Sequence, residues 1–181
     1  MTTLSQQHVQ DWVRMALDLS ITSVLAFSVT LVLLIVYSIM DLHGRKVRNL
    51  YMLAGGLVGF SVTVLSGHVA ESPVLHLTAF IFVSFLSYLL FRIGSLGGAD
   101  AKSLVTVAIM SPGIEFAVWN SPTFEAFVGG GLGLFIMLLL GYVYSRWTKN
   151  VQDKFEEGRP VVPQIPFLLL GYVIIQVLAL I

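Results

Sequence analysis

Two aspartates stand at the edges of long apolar runs, and a pair of carboxylates can share acid and base roles if the fold brings them together. Asp41 ends an uncharged run over residues 19–40, and Asp100 follows the paired glycines of GSLGGADAKSL. Two carboxylates held close together cannot both ionise cheaply, so one keeps its proton while the other activates water. This division into acid and base hydrolyses an amide without a metal or a nucleophilic side chain.

The residues around these aspartates could assist such chemistry. Gly97 and Gly98 carry no side chain, so an extended substrate backbone could approach the carboxylates closely. Lys102 lies two positions from Asp100 and faces away from it on a regular helix, so we expect a membrane-surface anchor first and an active-site contact second. Asn49, which follows Asp41 in DLHGRKVRN, either bonds a loop carbonyl or orients the two carboxylates.

Each aspartate taken alone also has a simple structural interpretation. Asp41 could be a solvated carboxylate among basic residues, and Asp100 could be the N-cap of a helix. A negative charge opposes the dipole at a helix C-terminus and is favoured at an N-terminus. This difference predicts that Asp41 holds the shared proton more often and that Asp100 activates water.

The composition indicates an integral membrane protein. Of 181 residues, 56% are hydrophobic and 11% are charged, whereas a soluble domain has about a quarter charged residues. Six uncharged stretches are predicted to cross roughly 30 Å of hydrocarbon as helices. They are residues 19–40, 50–67, 73–91, a short stretch beginning near Asp100 and ending at Ile114, 126–145, and 163–181, which is entered through prolines at 160, 163 and 166.

Lysine and arginine predict the orientation of these spans, since positive residues concentrate on the cytoplasmic side. With six spans, one side receives nine of the ten basic residues and the other receives only Arg14. Both termini are therefore expected outside, and Asp41 and Asp100 are expected at the cytoplasmic face. The predicted fold is an all-α bundle of six transmembrane helices, forming one domain over residues 1–181.

Several functional classes find no support in the sequence. The net charge is zero, which gives no field for nucleic acid, and the absence of cysteine removes thiolate sites. The four histidines have no paired spacing for zinc, so we predict no metal and no cofactor. We expect His76 to be hydrogen-bonded inside the bundle. The glycine clusters at 55–59 and 129–133 are expected to pack helices closely.

The two aspartate motifs resemble those of the type IV prepilin and archaeal preflagellin (prearchaellin) peptidases. GGADAK is similar to the GxGD-K signature of these membrane aspartic proteases, with Ala99 where the family often has glycine. DLHGRKVRN is similar to the other aspartate motif of the family, with Arg48 at the place of a common proline. VPQIPFLLLGY resembles the entry to the last span, so the resemblance covers nearly the whole chain.

This resemblance implies that Asp41 and Asp100 form the catalytic pair, supported by Gly97, Gly98, Ala99, Lys102 and Asn49. It also implies a pilin or archaellin precursor with a class III signal peptide, in which a short basic leader precedes a hydrophobic helix. Cleavage is expected at the cytoplasmic face of the cell membrane, after a small residue such as glycine. The alternative is a small transporter subunit that uses the same aspartates for protons or cations.

Overall fold

The regular elements in the described part of the chain are α-helices. The computed structural model describes residues 20–44, 47–152 and 163–178. Within these ranges the helices are α1 (Ile21–Gly44), α2 (Asn49–Leu65), α3 (His68–Glu71), α4 (Pro73–Ile93), α5 (Gly98–Met110), α6 (Pro122–Gln152) and α7 (Ile165–Leu178). The all-α class expected from the sequence is confirmed for this part of the chain. Arg14, Arg45, Lys46, Lys154 and Arg159, which the orientation argument used, lie outside the described residues.

Local sequence sets where the helices begin and end. Pro73 begins α4, where its missing N–H is not needed and its fixed φ suits a first turn. Gly94 ends α4 with a φ of 80°, a left-handed conformation that glycine adopts without a Cβ penalty. Pro163 precedes α7 and Pro166 lies in its first turn, as the sequence predicted. The Gly94 turn leads the chain directly into the segment that carries Asp100.

The long helices pack as a closed ring. In the order α1, α2, α5, α4, α6 and α7, each helix packs against the next, and α7 packs against α1. The shorter α5 also contacts α1 and α7. The main core lies inside this ring and includes Leu34, Ala79 and Met137, each no more than 2% exposed. Helix α5 is therefore held from several sides, which fixes the position of its first turn.

Among the described residues, three helices are long and apolar enough to cross a membrane, namely α1, α4 and α6. Helices α2 and α7 have 17 and 14 described residues. The fourth span was predicted to reach Ile114. In the structure the corresponding helix, α5, has 13 residues and ends at Met110. At about 1.5 Å per residue, this helix extends only about 20 Å.

The chain after α5 stays buried instead of leaving the bundle, because side chains from other helices satisfy its polar groups. The carboxylate of Glu115 accepts from Ser111 Oγ at 2.6 Å and pairs with His68 Nε2 at 2.7 Å. The Glu115 N–H donates to Gln176 Oε1 at 2.9 Å. This cluster anchors the segment after α5 to α3 and α7.

Other sequence expectations about packing are confirmed. His76 is buried, and its ring nitrogens lie 3.3 Å from His68 Nδ1 and 3.0 Å from the Ser72 carbonyl oxygen. A Cβ at Gly55 would collide with the Tyr37 hydroxyl. At Gly129 it would lie 3.4 Å from the backbone of Gly113. Both glycine clusters thus permit the close approach of neighbouring segments.

Candidate active site

Asp41 lies in the last turn of α1 and faces the interior. Its exposed fraction is 7%, and the backbone N–H of Ile165 lies close enough to interact favourably with its carboxylate. Ile165 is the first residue of α7, so a positive helix end faces this aspartate. The Oδ2 atom of Asp41 has no hydrogen-bond partner in the part of the chain that the structure describes. A buried carboxylate oxygen with spare accepting capacity is suited to bind a proton or a water molecule.

Asp100 is the third residue of α5 and is half-buried. Its Oδ2 accepts the N–H of Gly97 at 3.2 Å. Gly97 is the residue at the N-cap position, so Asp100 stabilises the helix start from inside the first turn and is not itself the N-cap. The α5 dipole favours the ionised form of this carboxylate.

The fold brings the two aspartates to the same end of the bundle. Met40 and Ala99, the residues immediately before Asp41 and Asp100, pack against one buried cluster. That cluster consists of Tyr37, Val47, Met52 and Ile165. The carboxylate of Asp41 is also close enough to act electrostatically on that of Asp100. The arrangement therefore joins two motifs that are 59 positions apart in the sequence.

The glycines before Asp100 have different surroundings. Gly97 has φ −73° and ψ 154°, which any residue adopts, so its backbone does not require glycine. A Cβ at this position would lie 2.5 Å from Asp100 Oδ2, which is too close for undisturbed packing. A Cβ at Gly98 would instead make an ordinary 3.5 Å contact with Phe91 Cε2. Gly97 thus leaves room for the carboxylate itself, a role that the sequence did not suggest.

Lys102 and Asn49 connect the two motifs. Lys102 Nζ donates a hydrogen bond to Asn49 Oδ1 at 2.7 Å. Asn49 is the first residue of α2, and Lys102 is one turn beyond Gly98 on α5. Asn49 was expected either to bond a loop carbonyl or to orient the carboxylates, but its side-chain oxygen accepts from a lysine. The bond ties the segment after Asp41 to the helix that carries Asp100.

Two contributions to this site were not found by sequence reasoning. The first is the N–H of Ile165, for which the only signal was the proline-flanked PQIP entry to the last helix. The second is Tyr37, one turn before Asp41, whose hydroxyl donates to the Met52 carbonyl at 3.0 Å. This bond joins α1 to α2 within the buried cluster on which Met40 and Ala99 pack. A tyrosine inside an apolar run gives no indication of such a partner.

The α7 N-terminus changes the argument about the shared proton. Asp41 lies at the negative end of α1 and at the positive end of α7, so two dipoles act on it in opposite directions. The prediction that Asp41 holds the proton more often relied on the α1 end alone. With both helix ends present, dipoles no longer distinguish the two aspartates in the way that the sequence suggested.

Comparison with known proteins identifies the family. Residues 28–120, just over half of the chain, match the profile of the type IV leader peptidase family, and this range contains both aspartates. A 100-residue stretch is 26% identical to the preflagellin peptidase of Methanococcus voltae, covering 54% of this chain and 42% of that protein. No solved structure matches the chain. The chain belongs to the type IV leader peptidase family.

Proposed function

We propose that this protein is a membrane aspartic endopeptidase that removes leader peptides from precursor polypeptides, with Asp41 and Asp100 as its catalytic pair. The observation that carries the proposal is that both aspartates lie at one end of the bundle, next to residues that pack on one buried cluster, and close enough to act on each other electrostatically. Family membership supports the reaction, and the relative is named for processing preflagellin. The chain matches only 42% of that relative, so its substrate is part of the proposal.

In this proposal the two carboxylates divide the work of hydrolysis. The ionised carboxylate takes a proton from a water molecule, whose oxygen attacks the carbonyl carbon of the scissile bond. The protonated carboxyl hydrogen-bonds to the carbonyl oxygen as negative charge develops there. Protonation of the leaving nitrogen then breaks the C–N bond, which gives a new carboxyl terminus and a new amine. The pair titrates as one unit, so either aspartate can begin as the acid.

The proposed substrate is a pilin-like or archaellin precursor with a short basic leader before an apolar helix. Arg48, Arg92 and Lys102 lie at the same end of the bundle as the aspartates. Because positive residues concentrate on the cytoplasmic side of membrane proteins, we assign this end to the cytoplasm and place cleavage there. The six-span arrangement with both termini outside remains part of this proposal.

The direct test is cleavage of a purified precursor by the wild type and by Asp41→Asn and Asp100→Asn. Each single change should lower kcat by about 10²–10⁴-fold, the usual contribution of a general acid or base. Asn has nearly the shape of Asp, so the variants should elute as the wild type does in size-exclusion chromatography. Wild-type cleavage by either variant would reject the catalytic pair. Ion flux without any cleavage would favour a transporter instead.

The absence of native cysteine allows a separate test of the sidedness. A single cysteine at Ser95, in the turn before Asp100, should react in intact cells only with a membrane-permeant maleimide. A cysteine at Asn120, at the other end of the bundle, should react with the impermeant reagent as well. The reverse pattern would contradict the cytoplasmic assignment while leaving the catalytic pair in place.

A further inference from the structure

An open apolar groove runs along the outside of α5, between α2 and α4. Its volume is about 1030 Å³, near the upper end of ordinary ligand pockets, which hold about 300–1,000 Å³. Helix α5 forms the floor, and α2 and α4 form the walls. One end of the groove reaches Gly98 and Lys102, beside Asp100, and the other reaches Pro73 and His76.

The lining residues show what shape of occupant the groove fits. On α5 the lining positions are 98, 101, 102, 105, 106 and 109, and on α2 they are 49, 52, 53, 56, 57 and 60. Both sets follow the i, i+3, i+4, i+7 spacing with which one helix packs against another. On α4 the lining extends from Pro73 to Phe91, a rise of about 27 Å at about 1.5 Å per residue. Three stripes of this kind form a surface on which one more helix could pack.

The chemistry of the lining favours a polypeptide over lipid tails. Ser87, on the α4 wall, is 1% exposed, and its hydroxyl has no partner within the described residues. The hydroxyl of Ser84, on the same wall, is also buried and has no partner within the described residues. Rotation of either serine about χ1 would turn its hydroxyl toward the groove, where a helix with small polar side chains could hydrogen-bond to it and an acyl chain could not. Gly56 also leaves room for a helix backbone to approach the groove closely.

We propose that this groove, lined by α2, α4 and α5, seats the apolar helix of the precursor during cleavage. The inference rests on the proposed leader-peptidase function, because that function places the scissile bond beside Asp100. A leader lies N-terminal to the part that is kept, so the N-terminal end of the bound helix lies near Gly98. Its C-terminal end lies near Pro73. Recognition of the substrate within the membrane is then the packing of one helix against three others.

Cysteine cross-linking tests the position and the direction of the bound helix. The probe is a polypeptide with a basic leader ending in glycine and about 20 apolar residues, carrying one cysteine near either end of the apolar part. The protein carries Leu53→Cys, near the aspartate end of the groove, or Leu77→Cys, near the other end, in an Asp41→Asn and Asp100→Asn background. Leu139→Cys is the matched control, since Leu139 is an exposed leucine on α6 outside the groove.

The proposal expects a register in the cross-links. The probe with the N-terminal cysteine should link to position 53, and the probe with the C-terminal cysteine should link to position 77. Neither should link above background to position 139. Absence of links at both groove positions, links of equal yield at position 139, or the reversed register would overturn the proposal. This measurement needs no cleavage, so it shows whether the helix binds in the groove even if the aspartates prove not to be catalytic.

A kinetic test separates the groove from the chemistry. Leu57→Trp fills the groove from the α2 wall, and Leu139→Trp places the same bulk on α6. The groove variant should lower kcat/KM for the helix-bearing precursor by about tenfold or more, and it should leave cleavage of a short leader-junction peptide unchanged. The control variant should match the wild type on both substrates. Full activity of Leu57→Trp on the precursor would refute the proposal that the groove seats the precursor helix. A wild type that cleaves neither substrate would refute the proposed function.

Discussion

Replacement of Gly97 by alanine should reduce catalysis with little loss of stability. The backbone at Gly97 is compatible with alanine, because φ is −73° and ψ is 154°. The added Cβ would lie 2.5 Å from Asp100 Oδ2, whereas ordinary contact begins at 3.4 Å, so the carboxylate must move by about 0.9 Å. That movement also weakens the 3.2 Å hydrogen bond that the Gly97 N–H donates.

The expected magnitudes differ for activity and for stability. Misplacement of a catalytic group by about 1 Å can cost about 10²-fold in rate, so kcat should fall by about that factor. Loss of one hydrogen bond should lower the free energy of unfolding by only about 0.5–1.5 kcal/mol. The carboxylate is the mobile end of a side chain, and its rotation leaves the backbone of α5 in place. We therefore expect a folded protein whose chemical step is slow.

The assay is single-turnover cleavage of the precursor, with thermal aggregation in detergent as the measure of stability. Gly98→Ala is the matched control, because its Cβ would make an ordinary 3.5 Å contact with Phe91. It should keep a rate within a few-fold of the wild type, as expected for an unstrained substitution. A Gly97→Ala protein with wild-type kcat, or a Gly98→Ala protein that loses as much, would show that the carboxylate is not positioned as we argue.

Three further substitutions test other contacts. Lys102→Met removes the hydrogen-bond donor that links α5 to α2. It should lower kcat by about tenfold, because this bond positions the site. Unchanged kinetics in a cleavage assay would exclude that role. Glu115→Gln replaces a carboxylate buried beside a histidine; it should lower the free energy of unfolding by about 1–3 kcal/mol, seen as earlier thermal aggregation, because a buried charged partner is lost. An unshifted transition would contradict this. Gly59→Ile drives a side chain into buried Met110 and should lower the free energy of unfolding by about 1–3 kcal/mol. Gly131→Ile should lower it less, because no atom lies within 4 Å of the added Cβ. Equal losses of stability in the same thermal assay would contradict the packing argument.

Much of the fold and the family followed from the sequence alone. Uncharged runs, helix-ending glycines and helix-starting prolines act over a few residues, so the positions of the helices could be predicted closely. Two helices differ from the prediction: the four-residue α3 was not predicted, and α5 ends at Met110 because the polar groups of residues 111–115 find partners inside the bundle. Such partners come from α3 and α7, far away in the chain. Periodicity and composition do not reveal them.

The sequence by itself determined which residue types were present for chemistry, and the spacing of the two aspartate motifs was enough to indicate the family. Only the tertiary structure decided what surrounds them: the Ile165 N–H on Asp41, the hydrogen bond from Lys102 to Asn49, and the clearance that Gly97 leaves for Asp100. The groove between α2 and α4 likewise exists only because both helices pack on α5 without filling the space outside it. The physical reason is that local patterns set helices, whereas side-chain partners and open space depend on which distant helices the packed bundle brings together.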